Sequence, residues 1–148
     1  VPIDGVDPCS LLTEEQRVDL GLDGRPTFDR SPSLLYPGDV SMCVIRGFDP
    51  RAVIVSAGLV TTVGIDFFTS GNLAADLESI SITGFPAAVA RPTQYTYYCT
   101  VVVDVAPGQL LDVQAQDGGR QPPIPQDQLC RDAEQAATAV MATLLAGR

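Results

Sequence analysis

The sequence predicts an α+β domain built on an antiparallel sheet, and three observations carry that prediction. Apolar, β-branched runs are separated by turn residues instead of alternating with helices, one long amphipathic stretch comes only at the end, and four cysteines are spread along the chain. We expect about five to six strands, a short N-terminal helix and a longer C-terminal helix packed on the sheet, and two disulfides. The chain has 148 residues, 45% hydrophobic and 18% charged, enough for one core. Residues 1–6 read as a linker and 7–148 as a single domain.

The elements follow in order. Asp7 before Pro8 starts a helical turn, and Thr13-Glu14-Glu15-Gln16 forms a capping box opening a helix over 14–20 that Gly21 ends. Residues 21–37, rich in Pro, Gly, Asp and Ser, read as an irregular loop. Strands are expected at 40–46 and 52–57, joined by the turn 47–50 as a hairpin. Asn72 before Leu73-Ala74-Ala75-Asp76-Leu77-Glu78 reads as a capped short helix. Ser79 to Thr83 reads as a strand broken at Gly84-Phe85-Pro86, with extended chain resuming over 87–90. The longest strand signal is 93–105. It is followed by Pro107-Gly108 at the centre of a type II turn and a return strand over 110–116. Residues 117–125 cross the surface, and Asp127 is expected to cap the last helix. The apolar face of that helix is Leu129, Ala133, Ala136, Ala137, Val140 and Leu144.

Composition excludes several chemistries. His, Trp and Lys are absent, which removes imidazole bases, His metal ligands, His-containing triads and lysine Schiff bases. A net charge of -9 disfavours nucleic acid as a partner. Cys9, Cys43, Cys99 and Cys130 show no short metal-type or redox spacing, so an exported protein with structural disulfides is expected. No Gly-x-Ser-x-Gly or phosphate-binding glycine motif occurs. An enzyme, a cofactor and a metal are therefore not expected.

The segment Asp7-Pro8-Cys9-Ser10-Leu11-Leu12-Thr13, then Leu20-Gly21-Leu22, Cys43, the turn Gly84-Phe85-Pro86-Ala87, Cys99, and Cys130 opening an Ala-rich helix resembles a family of actinobacterial cell-envelope lipoproteins of unknown function. The resemblance covers nearly the whole chain from Asp7. It implies attachment to the outer face of the cell membrane through a lipidated cysteine ahead of Val1, and it implies no activity. Where the family often has an aromatic residue after its second cysteine, this chain has Val44 and Ile45. Four cysteines allow three pairings. Cys9 with Cys43 and Cys99 with Cys130 would each tie a terminal helix to a strand, while Cys43 with Cys99 and Cys9 with Cys130 stays open.

The candidate ligand-binding residues are the aromatics Phe67, Phe68, Tyr95 and Tyr97, able to line a cleft against the sheet. Strand alternation sends Tyr95 and Tyr97 to one face and Tyr98 to the other. Asp104 and Asp112 flank the second hairpin and could meet across it as a carboxylate pair, but are read as solvated. Arg46 and Arg51 flank the first hairpin turn and could hold an anionic head group, but are read as surface charge. The expected function is non-catalytic binding of a small molecule or lipid, with loops 21–37 and 58–72 enclosing an apolar cavity between sheet and helix. The alternative is an interaction module for an envelope protein, with a filled core and an exposed apolar surface.

Overall fold

A computed structural model describes residues 1–69 and 74–147. Seven strands, β1 (Thr27–Pro32), β2 (Asp39–Arg46), β3 (Val53–Val60), β4 (Ala75–Ile82), β5 (Phe85–Pro92), β6 (Tyr98–Ala106) and β7 (Gln109–Asp117), form one antiparallel sheet in the order β1-β2-β3-β7-β6-β5-β4. Two meanders, β1 to β3 and β4 to β7, are thus joined by the pairing of β3 with β7, from Val53 opposite Asp117 to Val60 opposite Leu110. The helices are α1 (Glu14–Asp19), α2 (Asp66–Thr69) and α3 (Gln126–Leu145).

The α+β class, the two terminal helices and the two disulfides are as the sequence predicts, with a sheet slightly larger than expected. The additional strand is β1, which lies in the stretch read as loop. It carries no apolar alternation because it is an edge strand with five of its six residues exposed. The helix expected over 73–78 is also corrected. Residues 75–78 begin β4, whose helix-favouring Ala, Leu and Glu are overridden by an eight-residue ladder with β5. Asn72 and Leu73 lie outside the described residues. Asp127 does not cap α3, which starts after Pro125 with no side-chain cap, and its carboxylate pairs with Arg91 instead. Residues 1–6, expected as a linker, pack on the domain. Ile3 is buried in the core, and its amide donates to Gln109 Oε1 at 2.9 Å.

Period-two alternation divides each strand between two faces. On one face, Cys43, Ile45, Val55, Ala57, Val101, Val103, Leu111 and Val113 meet α3 and the N-terminal segment in a large core. All six apolar residues expected on the α3 face are buried, and its alanines let the helix lie close to the strands. Leu11, Leu12 and Leu22 extend that cover. The capping box forms as read, with Gln16 N donating to Thr13 Oγ1 and Thr13 N to Gln16 Oε1. Gln16 also donates to Ala139 O at 3.1 Å and accepts from Thr143 Oγ1 at 3.1 Å, which docks α1 on α3 and satisfies the buried Thr143.

Cys9 bonds Cys43 and Cys99 bonds Cys130, so each disulfide fastens a terminal segment to a strand from the core side. They close separations of 34 and 31 residues. Chain entropy then assigns each about 3 to 4 kcal/mol. Replacing Cys99 and Cys130 together by Ala is expected to lower the unfolding free energy by that amount in urea titration, and a loss below about 1 kcal/mol would contradict the entropic account. Because Ala136 is fully buried against the sheet, Ala136→Leu should cost about 1 to 3 kcal/mol in the same assay.

Candidate functional site

Among the described residues, no long helix lies over the opposite face of the sheet. Its strands present Val40, Val60, Ala88, Ala90, Val102 and Leu110, which form a second, smaller core with Tyr36 and Phe68. The cover comes from α2 and from the segment 33–38, a strap between β1 and β2. Ser33 shapes the strap, its hydroxyl accepting from the amides of Leu35 (3.0 Å) and Tyr36 (2.9 Å). Thr62 Oγ1 donates to Pro37 O at 2.7 Å and ties the strap to the segment after β3.

Tyr36 is the pin of this arrangement. Its ring lies 5.4 Å from that of Phe67 and 5.9 Å from that of Phe68, and its hydroxyl donates to Asp112 Oδ2 at 2.6 Å. Asp112 sits mid-strand on β7 between Leu111 and Val113, whose side chains take the other face. Burial raises its pKa to about 6 despite the hydrogen bond from Tyr36, which favours the charged form. Burial, and then the charge of Asp112, push the Tyr36 phenol well above its ordinary range.

The strap leaves two clefts, one on each side of it. The larger, about 540 Å³, runs between Phe68, Ala90, Pro92 and the tyrosines 95, 97 and 98. The smaller, about 420 Å³, lies over β2 and β3, beside Met42 and Ser56. Leu34, Leu35, Asp112 and Gln114 line both. The second oxygen of Asp112 has no protein partner among the described residues, so a half-buried carboxylate faces apolar walls where the two clefts meet.

Of the four candidate residues, Phe68, Tyr95 and Tyr97 line the larger cleft, while Phe67 stands behind it against Tyr36. The cavity is not between sheet and helix, where the core is filled, but on the other face of the sheet. Tyr98 is not turned away from Tyr95 and Tyr97. β6 begins only at Tyr98, so strand alternation does not apply before it, and the three rings pack in sequence at 5.9 and 5.2 Å. Burial, then Tyr97, Tyr95 and Asp112 in that order, raise the pKa of Tyr98.

Asp112 is not simply solvated and does not pair with Asp104, which stands opposite Leu110 while Asp112 stands opposite Val102. Sequence reasoning missed the roles of Tyr36 and Asp112. The available signal was a lone carboxylate in the apolar run 110–115, yet its partner is 76 residues away. Among the described residues, no group of three or more His, Cys, Asp or Glu is placed to hold a metal ion, and no helix is long and apolar enough to cross a membrane.

Two disulfides that each fasten a terminal segment to the sheet point to an oxidising environment outside the cytoplasm. A family model described as a protein of unknown function, DUF3558, matches residues 2–143, and the chain belongs to that family. No curated protein and no solved structure matches it.

The raised pKa of Asp112 fixes a sign. The unfolded carboxyl ionises near 3.8 and the folded one near 6, so its contribution to stability is fully present below pH 3.8 and is lost as pH rises to about 6. The loss is on the order of 2 kcal/mol once partial solvent access is allowed for. Asp112→Asn, which still accepts from Tyr36, should flatten this part of the stability profile measured by urea titration from pH 4 to 7. A wild-type-minus-variant difference that stays constant with pH would contradict the assignment.

Proposed function

We propose that this domain is a non-catalytic, extracytoplasmic binding module that takes an amphipathic small molecule or lipid in the clefts under the strap. The observation that supports it is the meeting of an under-bonded carboxylate, Asp112, with apolar walls from Leu34, Leu35, Tyr95 and Tyr97. Apolar pockets with a few convergent polar groups are the usual form of ligand sites. A hydroxyl or amine of the ligand would donate to Asp112 beside Gln114, and its apolar body would lie along the tyrosines. A lipidated cysteine ahead of Val1 would hold the domain at the outer face of the membrane, close to lipids and envelope proteins.

A second reading rests on Leu34, which stands fully exposed near Leu35, Tyr95 and Tyr97, each also exposed. In that reading the strap and the tyrosines dock an envelope protein. Native mass spectrometry of protein purified from an actinobacterial host, compared with a denaturing spectrum, separates the two. A non-covalent adduct lost on denaturation supports the ligand module and gives its mass, and a bare chain favours the docking surface. With N-phenyl-1-naphthylamine as probe, saturable fluorescence enhancement is expected, and Tyr97→Ala should weaken it about tenfold, or ~1.4 kcal/mol. An enhancement that Tyr97→Ala and Ala90→Phe both leave unchanged would place the probe elsewhere and overturn the assignment.

A further inference from the structure

We infer that the opposite side of the molecule carries a separate site for a phosphate-class oxyanion, built from Arg51, Arg120 and Arg131. These three side chains line one pocket of about 290 Å³ with Gln128, Asp132 and Ile124. Arg51 comes from the turn between β2 and β3, Arg120 from the connection after β7, and Arg131 from the second turn of α3. They meet because Val53 at the start of β3 pairs with Asp117 at the end of β7, which brings the hairpin end to the entry of α3. Val53 belongs to the core on the helix side, so the sheet separates this pocket from the clefts over Asp112.

Charge and hydrogen bonding together argue for a ligand. The chain has net charge -9, yet three of its nine cationic side chains gather around one carboxylate, Asp132. Packing like charges together costs energy unless an anion offsets it. Asp132, with only 8% of its side chain exposed, lies 3.7 Å from Arg51 Nη2 and accepts from Gln128 Nε2 at 2.9 Å, so it orients Arg51 and makes no ion pair with the other two. Asp117 accepts from the amides of Gly119, Arg120 and Ile124 and partly offsets the charge of Arg120, which leaves Arg131 as the guanidinium with no carboxylate paired to it among the described residues.

Each guanidinium is also held in place. Arg51 Nη1 donates to Asp19 O, and its stem lies on Gly21, where an added Cβ would come within 2.6 Å of Arg51 Cδ. Arg131 donates through Nε and Nη2 to Gln128 Oε1. Arg120 uses only Nε, toward Pro122 O, and its terminal nitrogens have no hydrogen-bond partner among the described residues. Three anchored forks around one space suit a tetrahedral oxyanion with several acceptor oxygens better than a carboxylate, which one fork satisfies. The first turn of α3, without a side-chain cap, adds its dipole at the same pocket. Arg51, read from sequence as surface charge beside Arg46, thus finds its companions on other elements.

The test uses inorganic phosphate and backbone amide chemical shifts at constant ionic strength. Phosphate at millimolar concentration should shift the amides of Arg120 and of residues 128–132 saturably, and Arg120→Gln with Arg131→Gln should weaken binding at least tenfold. Both residues lie outside the core, and Arg25→Gln serves as a control that should bind as the wild type does. Flotation with phosphatidylcholine vesicles with and without phosphatidic acid identifies the source of the phosphate group. Capture only by the phosphatidic acid vesicles, lost in the double variant, assigns a lipid headgroup, and phosphate shifts without capture assign a soluble phosphoester. No shift in the wild type, shifts reproduced by chloride, or shifts that persist in the double variant would overturn the site.

Discussion

One long helix cannot cover a seven-stranded sheet. Six interstrand gaps make the sheet about 29 Å wide, and a helix with its side chains covers only about 10 to 12 Å. The organisation of this domain follows from that mismatch. On one face, α3 covers the central strands and the N-terminal segment covers those on the β2 side, with a disulfide fastening each piece. Most strand side chains there are small or β-branched, with leucines and Met141 filling the space between sheet and helix.

The other face receives only what the connections supply. The strap after β1 and the short α2 after β3 bury enough of it to make a minor core, and the rest stays open. A carboxylate is tolerable in the middle of β7 because that face is neither dry nor fully solvated. Tyr36 satisfies one of its oxygens, and the same bond holds the strap in place, so the group that shapes the clefts is also their polar contact. The open apolar clefts thus lie on the face the helix does not reach, while the disulfide-fastened face supplies rigidity and carries the arginine pocket at its edge.

The legible parts of the fold were those whose residues report a local constraint. The capping box at Thr13, the turn at Pro107-Gly108 with Gly108 at φ +72°, and the face from Leu129 to Leu144 each depend on near neighbours, and each forms as read. Of the two edge strands, β1 was not legible and β4 was legible only from Ser79 onward. β1 is exposed and polar, and β4 has helix-forming residues held extended only by β5, so the deciding interaction lies outside the segment. The site shows the same limit. The aromatics were visible as a composition, but the joining of residue 36 to residue 112, and of three arginines from three elements, is set by the β3 and β7 pairing. Tyr95 and Tyr97 were assigned a face by alternation in a segment that is not yet strand.

The central claim is that the two faces have different jobs, one holding the fold and one taking the amphipathic ligand. Hydrogen–deuterium exchange with and without saturating N-phenyl-1-naphthylamine tests it most directly. The account predicts slowed exchange over the strap at 33–38 and over 94–98, with α3 unchanged. Slowing confined to α3, or none at all, would contradict it.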